Sequence, residues 1–180
     1  MSVVAAVIVV CEIGFWALIA LGLVVRYPLK RRREAGWILA AVPVLDVVLI
    51  AAVAVDLSQG TPVGSIHHLA AYYLGFSIGF GPALIRWVDV RVAHRFAGGP
   101  APVKLAKDSK EYRRYLWEDW FRAVAACGVA AAVLTGLATT VASDEQSSAL
   151  LGTVPPLGII LGIWFLAGPA FAPSRTAADR

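Results

Sequence analysis

"VVAAVIVVCEIGFWALIALGLVVRYPLKRRR" runs from Val3 to Arg33. Residues 3–25 form an apolar run of the length that crosses a hydrocarbon core, for which about 20 residues suffice. A cleaved secretion signal carries its positive charge before such a run. Here the basic cluster "RYPLKRRR", residues 26–33, follows it, no Lys or Arg precedes it, and Glu12 lies inside it. The expectation is a retained membrane span with its amino-terminal end outside the cell.

The rest of the 180-residue chain repeats that theme. It is 59% hydrophobic and 16% charged, whereas soluble domains carry about 25% charged residues. Four more apolar runs cover residues 36–55, 66–85, 123–142 and 150–171. The expected fold is therefore all-α, a polytopic bundle of five transmembrane helices in a single membrane domain, 1–180.

Charge placement sets an orientation. Of the sixteen Lys and Arg residues, five lie in 26–34, nine in 86–122 and two in the tail from Pro173, with none between the other spans. The connections on the opposite side carry Asp56, Asp144 and Glu145. The positive-inside rule then puts the basic loops and the carboxyl terminus in the cytoplasm, and the expected location is the bacterial inner membrane, crossed several times.

The basic loops mix their cations with Asp89, Asp108, Glu111, Glu118 and Asp119. Anchoring to anionic head groups accounts for them, and no nucleic-acid-binding motif is present. Cys11 and Cys127 belong at different membrane depths, which does not suit a disulfide, and no CxxC spacing occurs.

Segment 86–122 has room for further structure. "RWVDVRVAHRFA" extends the third helical pattern along the interface, "GGPAPVK" ends it, and "DSKEYRRYLWEDWFR" opens a new helix with Asp108 or Ser109 as its cap. Tyr112, Tyr115, Trp117, Trp120 and Phe121 read as an aromatic belt. The stretches "DLSQGTPVGS" and "SDEQSS" read as short outer loops between antiparallel neighbours. Gly75 and Gly79 are four apart, as are Gly158 and Gly162, a spacing that lets membrane helices approach closely. Pro43 and "VPPLG", residues 154–158, are expected to bend or unwind their helices.

Acids and histidines inside spans are the candidates for chemistry. Asp46 lies about ten residues, or about 15 Å, into the second span, and Glu12 sits at a similar depth from the other side. Charge at that depth is expensive, so both should face the bundle interior. Asp56 closes the second span, and His67 and His68 open the third. On a helix His68 shares a face with Tyr72, Gly75 and Gly79, while His67 points about 100° away, towards Ala71 and Leu74. His68 is thus the expected polar-facing histidine. Asp56 beside it would make a general base or two ligands of a hydrated metal, although adjacent histidines do not converge as an i,i+4 pair does.

Candidate catalytic residues are therefore Asp46, Asp56, His68, Tyr72 and Glu12, with Asp56 and His68 as candidate metal ligands. Arg86, Asp89 and Arg95 form a candidate site for a lipid phosphate, arginine being suited to that oxyanion. The sequence does not identify a cofactor. Hydrogen bonding between neighbouring helices explains the same acids without any chemistry.

The series "RYPLKRRR", "PVLDVVLI", "DLSQGTPVGSIHHLAAYYLGFSIGFG" and "WVDVRVAHRFAGGP" resembles a family of small bacterial inner-membrane proteins of the actinobacterial type, described only as hypothetical proteins. The resemblance covers about residues 12–102 and includes Asp46, Asp56, His68, Tyr72, Asp89 and His94. It implies membrane residence and no activity. Three functions remain open: an accessory or structural component packing against itself or a larger membrane partner, a lipid-active or metal-assisted enzyme with a site open to the outer side, and a small proton-coupled transporter.

Overall fold

A computed structural model describes residues 3–96 and 98–171, apart from the side chains of 3–5, 8 and 12. Every regular element is helical: α1 (Val3–Arg26), α2 (Arg32–Ser58), α3 (Ser65–Phe96), α4 (Lys110–Thr140), α5 (Asp144–Leu151) and α6 (Val154–Ala167), followed by a 3-10 turn at Pro169–Phe171. α1, α2, α3, α4 and the α5–α6 pair are each long and apolar enough to cross a membrane.

Consecutive helices pack together: α1 on α2, α2 on α3, α3 on α4, and α4 on α5 and α6. This up-and-down order places the α1–α2 and α3–α4 connections at one end, called here the basic end because it gathers the described Lys and Arg residues. The α2–α3 and α4–α5 connections form the acidic end.

Local chemistry explains the boundaries. Gly60 takes φ +83° in the α2–α3 turn and Gly98 takes φ +65° after α3, a left-handed backbone that costs glycine nothing. Ser109 caps α4, its side chain accepting from the Tyr112 amide at 3.0 Å. α2 runs through Pro43 and α3 through Pro82 as continuous helices, so neither proline unwinds its helix.

The fifth span is broken instead. Pro155 and Pro156 have no N–H to offer the carbonyls of Leu151 and Gly152 four residues earlier, and the helix stops at Leu151 and restarts at Val154. The stretch "SDEQSS" is not a loop. Ser143 and Gln146 form a capping box, with Asp144 and Glu145 in the first turn, where the helix dipole favours acids.

α3 and α4 have 32 and 31 residues, about 48 and 46 Å at 1.5 Å per residue, against a hydrocarbon core of about 30 Å. Residues 86–96 continue α3 and 110–122 open α4, so both helices reach into the head-group zone at the basic end. The main buried cluster joins Cys11, Leu49, Val53, Leu57, Ala70, Leu134 and Leu150. Cys127, Ala130 and Leu157 form a second one.

Candidate functional site

The α2–α3 turn fixes an antiparallel register, and that register pairs polar groups. His67 Nε2 lies 3.2 Å from Asp56 Oδ2. The Ser77 hydroxyl donates to Asp46 Oδ2 at 2.6 Å. The two contacts are ten residues apart on both helices, so a single alignment satisfies both. Asp46 and His67 are each 2% exposed and Asp56 is 6% exposed.

At the acidic end the network widens. Thr61 Oγ1 donates to Asp56 Oδ1 at 3.1 Å, and the Gly64 amide donates to His67 Nδ1 at 2.9 Å. Gln146 on α5 donates to the carbonyls of Leu57 at 3.0 Å and Thr61 at 2.8 Å, and its own carbonyl accepts from the Ser143 amide at 2.7 Å. A helix as short as α5 is marginal alone, so these bonds hold it against the α2–α3 turn. Gln146→Ala removes two donors to buried carbonyls, at about 1–3 kcal/mol. Amides 144–151 should then exchange hydrogen at least about tenfold faster, with the amides of α1 unchanged.

At the basic end Asp89 on α3 receives hydrogen bonds from both Arg26 Nε, at 2.6 Å, and Arg26 Nη2, on α1. Tyr27 adds its hydroxyl at 2.9 Å. Burial, and then that bond to Asp89, push the Tyr27 phenol above its ordinary pKa. A bidentate arginine on a carboxylate is a directional link, and here it ties α1 to α3. The rings of Phe15 and Tyr73 stack between the same two helices nearer mid-span.

Several expected constellations are therefore rearranged. His67, not His68, meets Asp56, because the hairpin register places residue 67 opposite residue 56. His68 lies against the backbone of Ala149 on α5, and its Nε2 is buried with no partner among the described residues. Tyr72 donates to the Thr153 carbonyl at 3.3 Å, at the break between α5 and α6. Asp46, Asp56, His68 and Tyr72 do not converge, Asp46 and Asp56 being about 15 Å apart along α2. The Glu12 side chain lies outside the described residues, as does the tail with its two arginines.

Among the described residues no group of three or more His, Cys, Asp and Glu side chains could hold a metal. Arg86 and Arg95 are exposed and do not meet Asp89, whose partners are Arg26 at the end of α1 and Tyr27 just after it. Arg26, Tyr27, Ser77 and Gln146 are the participants that reading the sequence missed. For Gln146 the S-x-x-Q pattern of a capping box was the available signal.

Small residues complete the packing. A Cβ added at Gly75 would strike the carbonyl of Ala126, and one at Gly79 would come within 2.8 Å of Ala126 Cβ and of the Arg122 carbonyl. Gly158 and Gly162 on α6 face open space. The two pairs share a spacing but not a role. Across α4 and α6, Trp120 donates to the Leu161 carbonyl at 3.3 Å and Trp164 to Asp119 at 3.1 Å.

These features define an integral membrane protein of the multi-pass helix-bundle class. The chain is 35% identical over 167 residues to the "Uncharacterized membrane protein YmcC" of Bacillus subtilis (strain 168), an alignment that covers 92% of this chain and 89% of YmcC. It belongs to the family of that bacterial membrane protein. No family model matches the chain, and no solved structure does.

Proposed function

We propose that the protein is an accessory or structural component of an assembly in the bacterial inner membrane, oriented with its basic end towards the cytoplasm. One observation carries the reading: the described acids within the bundle are engaged pairwise by neighbouring helices, Asp46 by Ser77, Asp56 by His67 and Asp89 by Arg26. Groups spent on holding helices together are not gathered around a substrate. An enzyme or a proton path needs polar groups within reach of one reacting atom or one file of carriers, and these three pairs sit at three separate depths. The bias of the described Lys and Arg to one end supports the orientation.

The test is native electrophoresis of membranes solubilised in mild detergent, beside the purified protein in proteoliposomes. The expected result is a discrete assembly well above the 19.1 kDa of the chain, with no lipid turnover or proton flux from the purified protein. Lipid turnover or proton flux abolished by Asp46→Asn would overturn the reading.

A further inference from the structure

The α1–α2 turn and the end of α3 enclose a pocket of about 650 Å³ at the basic end. Sites for small molecules commonly occupy about 300–1,000 Å³. Its polar lining is Arg26, Tyr27, Lys30, Arg32 and Asp89. Asp89 already accepts three hydrogen bonds from Arg26 and Tyr27. Glu34 is drawn into an exposed pair with Arg31 at 3.0 Å. Among the described residues, Lys30 and Arg32 have no carboxylate within ion-pair distance, so the pocket keeps a surplus of positive charge.

Two further features point to an anion. Lys30 has φ +57°, a left-handed conformation that costs a non-glycine residue roughly 1–2 kcal/mol, and strain of this kind concentrates at ligand sites. α2 begins at Arg32 with no side chain capping its first turn, and such a terminus favours negative charge.

The other wall is hydrocarbon. Leu23, Val24, Val92 and Phe96 line it, and Val24 and Phe96 are largely exposed. Trp37 on α2 and Trp87 on α3, both exposed, lie close by in sequence, where indoles mark the head-group level. An anion site half walled by apolar side chains at that level suits an amphiphile better than a free ion.

We propose that this pocket binds the phosphate of an anionic phospholipid, with Lys30 and Arg32 holding the oxyanion and the apolar wall receiving the start of an acyl chain. Arg26 is a positioning residue that shapes the site through Asp89. The proposal does not depend on the assembly reading.

The experiment titrates phosphatidylglycerol into the detergent-solubilised full chain and counts retained lipids by native mass spectrometry. Lys30→Asn/Arg32→Gln is compared with Lys104→Gln/Lys107→Gln, an equal loss of charge at exposed residues between α3 and α4. Asparagine tolerates the left-handed backbone, and neither position hydrogen-bonds to Asp89, although Arg32 is near enough to favour its charge; thermal unfolding checks that the fold is kept. Two lost cations near a head group correspond to about 30-fold weaker binding. That loss is expected in the pocket variant alone, with phosphatidylcholine binding weakly throughout. Equal retention by the two variants would overturn the site. Displacement of the lipid by inorganic phosphate at equal concentration would overturn its assignment to a lipid.

Discussion

Gly75→Ala destabilises the bundle by about 1–3 kcal/mol, the usual range for overpacking, although alanine is the better helix former by about 1 kcal/mol. The reason is the contact it would have to make. The new methyl meets the Ala126 carbonyl, a backbone group of α4 that cannot rotate aside. α3 and α4 must then separate along a seam that also includes Gly79 and Ala130, and the buried cluster they share loosens with them. Gly75→Leu should prevent the seam from closing at all. Gly162→Ala is the matched comparison. No described residue lies within 4 Å of its new methyl, so its effect should stay within about 1 kcal/mol of zero. Reversible unfolding in bicelles reads both.

The second large effect separates the adjacent histidines. His67→Ala leaves Asp56, 6% exposed, with Thr61 as its remaining side-chain partner. Taking a hydrogen-bond partner from a buried acid costs about 1–3 kcal/mol, and more where the acid is charged. His68→Ala should cost less than half as much. It removes packing against α5, but it also removes a buried Nε2 that has no partner among the described residues, and an unsatisfied buried polar atom carries a penalty of about 1–3 kcal/mol. Comparable losses at the two positions would contradict the pairing.

The spans were legible in the sequence because hydrophobic length and the placement of Lys and Arg are properties of the chain itself. The Ser109 cap and the end of α3 near Gly98 followed from local chemistry in the same way. The side-chain pairs were less legible, because periodicity gives the angle between residues on one helix but not how that helix is rotated against its neighbour. Grouping His68 with Tyr72, Gly75 and Gly79 was sound as geometry on one helix. It failed to find the partner of Asp56 because the antiparallel hairpin, folded about the Gln59–Gly64 turn, sets residue 67 opposite residue 56. The same folding line brings Ser77 to Asp46, so a register drawn from the turn would have found both contacts. Asp89 was harder to place. Its partner Arg26 is 63 residues away on a helix that is not its neighbour in the chain, and nothing local announces that contact. α5 was missed for a different reason: "SDEQSS" is polar throughout, and the capping box that starts the helix was masked by a composition that reads as loop.

The central claim is that polar groups on α3 act in pairs to hold it to its neighbours. A double-mutant cycle on unfolding free energy, crossing Asp56→Asn with His67→Ala and separately with His68→Ala, tests it most directly. The account predicts a coupling of about 1–2 kcal/mol for Asp56 with His67, near the upper end for polar contacts between membrane helices, and none for Asp56 with His68. Coupling to His68 with none to His67 would contradict it.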